Sequence, residues 1–124
     1  MNGNLVDTNL IIKMLNGDTE AIRIFDSLDG IHISVITAGE LFYGANKSSQ
    51  TEENLKLFKD FLSEYPVIGI DEKTSQIYGK IKAGLVKEGR NIPENDLWIA
   101  ATAFQHDLNI VSFDAHFKNI KTLD

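Results

Sequence analysis

Four acidic residues could do chemistry together in this sequence: Asp7, Glu40, Asp96 and Asp114. Asp7 follows the apolar pair Leu5-Val6, and Asp114 closely follows Ile110-Val111-Ser112. Glu40 lies a little beyond Ile31-His32-Ile33-Ser34, and Asp96 opens an apolar stretch that starts at Pro93. Carboxylates packed together repel one another, and their pKa values rise. A divalent cation relieves that cost, and magnesium or manganese suits an all-oxygen ligand set. Such an ion lowers the pKa of water and so supplies a nucleophile at neutral pH, with a carboxylate available to take the proton. Taken singly, each acid has a simpler explanation. Asp7 would cap a helix, and Thr37-Ala38-Gly39-Glu40 fits a capping box. Asp96 would complement a helix dipole, and Asp114 would sit in a turn. None of these explains why four distant acids should share one sheet edge.

The elements that must position them are readable from hydrophobic periodicity and breakers. Strands are expected at Leu5-Val6, at 31–34, 67–70 and 110–112, with a short edge strand at Thr122-Leu123. Helices are expected from Thr8 to Leu15, then through Ala21 to Leu28 behind an Asp18-Thr19 cap. Further helices run from Thr37 to about Gly44, from Thr51 to Glu64, and from Glu72 to Glu88 with Gly89 closing it. The last starts at Pro93 and is apolar on most sides, which places it centrally. Alternating strands and helices predict an α/β fold with a mostly parallel central sheet and helices on both faces. Ligands of such sheets gather beyond the carboxyl ends of the strands.

The chain of 124 residues suits a single domain spanning 1–124. It has no cysteine, which excludes disulfides, thiolate zinc sites and a cysteine nucleophile. His32, His106 and His116 lack metal-ligand spacing and read as structural or exposed. No apolar run approaches the ~20 residues of a membrane helix, and the start lacks the marks of a signal peptide. A cytoplasmic protein is therefore expected. The net charge of −6 argues against a broad basic nucleic-acid surface. One stretch runs the other way: Lys73, Lys80, Lys82, Lys87 and Arg90 stand against Glu88 alone. It fits a phosphate track or, equally, a solvated helix face.

The stretches 5–9 (Leu-Val-Asp-Thr-Asn), 34–41 with Tyr43-Gly44, 92–101 around Asn95-Asp96-Leu97-Trp98-Ile99-Ala100-Ala101, and 110–114 with Phe117 resemble the PIN-domain nucleases. Within that family the resemblance is to the VapC-type toxins of type II toxin–antitoxin pairs. It implies a single PIN-like domain and a metal-dependent endoribonuclease using Mg2+ or Mn2+, which Asp7, Glu40, Asp96 and Asp114 would hold. Thr8, Asn9 and Ser112 match small polar residues that orient those acids, although serine replaces the usual threonine at Ser112. The resemblance also implies RNA as substrate, 5′-phosphate and 3′-hydroxyl products, a cognate antitoxin and a homodimer. Phe113 departs from a position that is often polar in the family.

Other residues divide between roles. Trp98 suits base stacking or, preferably, packing on a neighbouring helix or subunit. Glu94 is a candidate fifth ligand or, preferably, a solvated first-turn acid. Ile11, Ile12, Leu15 and Phe42 suit either a partner groove or the core, with Phe42 the best groove candidate. Three rival readings use the same fold class. A receiver domain would take phosphate on Asp71, but paired acids after the first strand are missing. A haloacid-dehalogenase-like phosphatase needs aspartate where Asn9 stands. A non-catalytic interaction module would keep the fold without the chemistry.

Overall fold

The computed structural model describes residues 3–113. Its elements run β1 (Asn4–Val6), α1 (Thr8–Leu15), α2 (Thr19–Asp26), β2 (Ile31–Ser34), α3 (Val35–Lys47), α4 (Thr51–Leu62), β3 (Val67–Ile68), α5 (Glu72–Lys87), α6 (Glu94–His106) and β4 (Asn109–Val111). These strands form one sheet in the order β3-β2-β1-β4, and every pairing is parallel. The expected α/β architecture is therefore present.

β1 is the central strand, and both Leu5 and Val6 are fully buried. Successive side chains of a strand point to opposite faces. Val6 joins Leu10, Ile11, Phe25, Ile33 and Leu41 in one core, so α1 to α4 cover that face. Leu5 packs with Ile99 and Ala103 of α6 on the other. α5 then packs on α6, with Ile81 and Leu85 against Leu97, Ala100 and Ala101. Sandwiched between sheet and α5, α6 needs apolar residues on most sides, which is the pattern its sequence carries.

Helix ends follow local chemistry. The Asp18 carboxylate accepts the Ala21 N–H at 2.9 Å and caps α2. At the end of α5, Gly89 adopts φ +70° and Arg90 N–H bonds Leu85 O at 2.9 Å, so glycine closes the helix as expected. Asp71 caps α5: it accepts the Thr74 N–H at 3.0 Å and the Gln105 Nε2 at 2.9 Å. The Thr74 amide, Gln105 and the Thr74 hydroxyl hold its pKa below the usual carboxylate value. A carboxylate committed to a capping box has a structural role, which removes the basis for a receiver-type phosphoacceptor.

Several boundaries differ from those expected. α3 starts at Val35, because the Ser34 hydroxyl accepts the Ile36 N–H at 3.0 Å. It runs past Gly44 to Lys47, since burial of Leu41 and Ala45 outweighs the ~1 kcal/mol cost of a helical glycine. α2 ends at Asp26, although Leu28 still packs against the core. β3 stops at Ile68 because its partner strand ends at Ser34, the residue opposite. β4 ends at Val111, opposite Val6, and leaves Ser112 just beyond the sheet. The edge strand expected at Thr122-Leu123 lies outside the described residues.

Truncating Leu5 opens a cavity between sheet and α6. Leu5→Ala should cost about 2–5 kcal/mol of unfolding free energy. Ile12→Ala, at a site 37% exposed, should cost far less. Urea denaturation of the two variants measures both.

Candidate active site

The strand order changes direction at β1. The chain steps from β1 to β2 and β3 on one side, then returns to place β4 on the other. In a parallel sheet the crevice between strands that diverge this way is where ligands bind. Asp7 follows β1 and Ser112 follows β4, so both stand at that crevice. The Asp7 N–H bonds Val111 O at 3.0 Å, carrying the ladder one residue past the strands. The Ser112 hydroxyl then donates to Asp7 Oδ2 at 2.8 Å and lies 3.2 Å from Asn9 Oδ1. Asn9 Oδ1 also accepts the Phe113 N–H at 3.3 Å. Ser112 thus touches Asp7 directly, and Asn9 holds Ser112 and the turn after β4.

Glu40 is reached from two other elements. The Thr8 hydroxyl donates to Glu40 Oε1 at 2.5 Å, and Asn95 Nδ2 donates to Oε2 at 3.3 Å. Thr8 Oγ1 also lies 3.3 Å from the buried Thr37 hydroxyl. Glu40 is therefore not the closing half of a Thr37 capping box: α3 is already capped by Ser34. Asp7 occupies the N-cap position of α1, but its side chain makes no capping hydrogen bond there. Both simpler explanations fail on geometry.

Asp96 is in the first turn of α6 and only 8% exposed. Its neighbour Asn95 holds Glu40, and Thr8, next to Asp7, holds the same carboxylate. Three of the four expected acids are thus brought to one sheet edge. The field they share is visible at Asp7, which is 4% exposed. Burial raises its carboxyl pKa above the ordinary 3.8. Hydrogen bonds from Ser112 and the Thr8 amide oppose that rise, while the charges of Asp96 and Glu40 add to it. Asp114 lies outside the described residues. Among those described, no three acids or histidines already converge at ligand spacing. The donor set is nonetheless all oxygen and short of positive charge, which suits a hard divalent cation rather than a softer one.

Thr37, expected as a helix cap, and Asn95 are the residues beside the acids to which sequence reasoning gave no site role. Thr37 lies one helical turn before Glu40, and Asn95 adjoins Asp96; those positions are the only signal for either.

The remaining residues resolve more simply. Trp98 stacks on Tyr78 of α5, with centroids 4.0 Å apart and planes 5° from parallel. It packs on the neighbouring helix, the preferred of its two readings. Glu94 is exposed, bonded by the Tyr78 hydroxyl and paired with Lys82 at 3.1 Å, with Tyr78 and Lys82 lowering its pKa. Arg90 meets Glu88 at 3.6 Å, so the basic stretch is partly neutralised by its own neighbours. Phe42 packs against the core, while Ile12 and Leu57 rim an apolar groove between α1, α3 and α4. Phe42 is only partly buried there, beside the fully buried Leu41. His32 Nδ1 is buried without a hydrogen-bond partner, His106 ends α6, and His116 lies outside the described residues.

The fold and the edge cluster define a class, and the comparisons agree with it. The model of the family described as "PIN domain" matches residues 5–123. The chain belongs to the PIN-domain family, in its VapC branch. Ribonuclease VapC2 of Haemophilus influenzae is 38% identical over 110 residues, covering 87% of this chain and 83% of the relative. The tRNA(fMet)-specific endonuclease VapC of Shigella flexneri is 33% identical, with the same coverage of 87% and 83%. The crystal structure of DNA-bound VapBC from Salmonella typhimurium superposes with a TM-score of 0.88 at 32% identity, covering 97% of this chain and 93% of that one. No helix among the described residues is long and apolar enough to cross a membrane.

Asp7 supplies a sign for the pH dependence of stability. Its folded pKa is raised above 3.8, so the folded state holds the proton more tightly than the unfolded chain. Without divalent cation, stability should therefore fall as pH rises from 3.8 through the raised value. Asp7→Asn should remove that slope and stabilise the metal-free protein at neutral pH. Melting temperatures measured across pH in excess chelator check both outcomes.

Proposed function

We propose that this chain is a metal-dependent endoribonuclease that hydrolyses RNA phosphodiester bonds as the toxin of a toxin–antitoxin pair. One observation carries the reading: Asp7, Glu40 and Asp96 lie at one edge of the sheet, at its switch point, where burial first, and then the charges of Asp96 and Glu40, raise the Asp7 pKa. The ribonuclease and endonuclease names of its VapC relatives support the same activity.

Asp7, Glu40 and Asp96, with Asp114 as the fourth acid, would hold the cation, and magnesium or manganese suits these oxygen donors. When bound, such an ion supplies a water of lowered pKa and stabilises charge on the phosphate. The chain's own residues do the rest. Ser112 holds Asp7 Oδ2, and Thr8 and Asn95 hold the two Glu40 oxygens, so both carboxylates are fixed before substrate arrives. The Ser112 hydroxyl favours the ionised form of Asp7. A carboxylate of the cluster takes the proton that the attacking water loses. The VapBC assembly that this fold matches supports a cognate antitoxin as partner. The groove rimmed by Ile12 and Leu57 offers an apolar surface for one.

Purified protein should cut an RNA substrate with magnesium or manganese and stop in excess chelator. Asp7→Asn, Glu40→Gln and Asp96→Asn should each lower the cleavage rate by at least about 100-fold, the scale for losing one electrostatic contact in a site. Their folds should persist by circular dichroism. RNA cleavage that survives chelator or all three substitutions defeats the proposal.

A further inference from the structure

Phe113 is an aromatic ring held at the mouth of the site without being buried. It is 41% exposed, yet its backbone is fixed through Asn9. It directly follows Ser112, whose hydroxyl binds Asp7, and consecutive Cα atoms are only about 3.8 Å apart. The Lys13 ammonium stands 5.0 Å from the centroid of the Phe113 ring. Lys13 and Asn9 are four residues apart on α1 and so share a helix face. One face of α1 thus carries both the anchor of the Phe113 backbone and a cation above its ring. Among the described residues Lys13 forms no ion pair.

A chain of net charge −6 has little general attraction for a polyanion. Beside an acidic cluster, a substrate needs local contacts that do not depend on overall charge. An exposed ring supplies one, because every nucleobase has a π-face. An adjacent ammonium supplies the other, as a phosphate partner. Bases inside a duplex are already stacked and hidden, whereas unpaired nucleotides present their faces.

We propose that Phe113 and Lys13 form a substrate subsite for an unpaired nucleotide beside the scissile phosphate. The base stacks on the Phe113 ring, and the Lys13 ammonium pairs with the adjoining phosphate. This rests on the ribonuclease reading and narrows it to single-stranded segments of RNA. Phe113 is then a binding and specificity residue with no part in the bond-breaking step.

The test measures binding of a labelled unstructured RNA oligonucleotide, and of the same strand in a duplex, by anisotropy. An Asp7→Asn background prevents cutting. Phe113→Ala and Phe113→Leu should each weaken single-strand binding roughly 5- to 150-fold, the range for one stacked base. Duplex binding should not change. Phe113→Trp should bind like the parent, with its indole emission quenched by the single strand. Lys13→Gln should reduce the slope of log affinity against log salt by about 0.7, one phosphate contact on a single strand. Single-strand binding unchanged in Phe113→Leu, or a loss equally large on the duplex, overturns the subsite. Should Phe113→Ala fail to fold, the Leu and Trp variants decide. Separately, cleavage by the otherwise unaltered chain is assayed on the same oligonucleotide. A chain that binds as described but cuts no RNA defeats the ribonuclease reading alone. One that cuts while ignoring Phe113 defeats only the subsite.

Discussion

A carboxylate that is 4% exposed and flanked by two others resists ionisation, and the described structure is organised around that resistance at Asp7. Burial is the largest contribution, and the charges of Asp96 and Glu40 add to it. Among the described residues no lysine or arginine pairs with Asp7, a pairing that would give a stable but inert ion pair. The protein supplies neutral donors instead: the Ser112 hydroxyl on Asp7, and the Thr8 hydroxyl and Asn95 amide on Glu40. Neutral donors orient a carboxylate while leaving its charge to act on a cation. Under the proposed metal-dependent reading, a site arranged this way is less stable alone than when loaded.

The fold meets this demand by keeping its strands short and parallel. With the order β3-β2-β1-β4, β1 and β4 end together, and the residues just past them fall opposite one another. Asp7 and Ser112 are those residues. α6 contributes from the side: its buried apolar surface locks it between sheet and α5, and that packing fixes where its first turn presents Asn95 and Asp96. The destabilising cluster is thus placed at the edge of two well-filled cores, where Leu5 on one face and Val6 on the other are wholly buried.

Substrate affinity must be reconciled with an acidic surface. The basic stretch from Lys73 to Arg90 is partly neutralised, with Lys82 paired to Glu94 and Arg90 to Glu88. Positive charge at the site comes instead from the cation that the acids would hold and from Lys13 beside Phe113. Affinity confined to the mouth of the site lets an acidic chain act on a polyanion without adhering to it elsewhere.

The periodicity of Val, Ile and Leu runs, and breakers such as Gly89, made the alternation of strands and helices legible from sequence, because burial and turn geometry are set locally. That Asp7, Glu40 and Asp96 would lie near one sheet edge was legible as well, since their positions relative to strand ends follow from that alternation and from the family resemblance. Sequence did not reveal that Ser34 rather than Thr37 begins α3, that Asp71 closes a capping box with Thr74 and also accepts from Gln105, or that Thr37 and Asn95 belong to the acid network. Each depends on partners distant in the chain or on a competition between caps that only the final packing decides. The meeting of Thr8 with Glu40, 32 residues apart, and of Ser112 with Asp7, 105 residues apart, is set by sheet order. Local propensity carries no information about sheet order, so the residues available for the site were determined by sequence, and their hydrogen-bonded arrangement by tertiary structure.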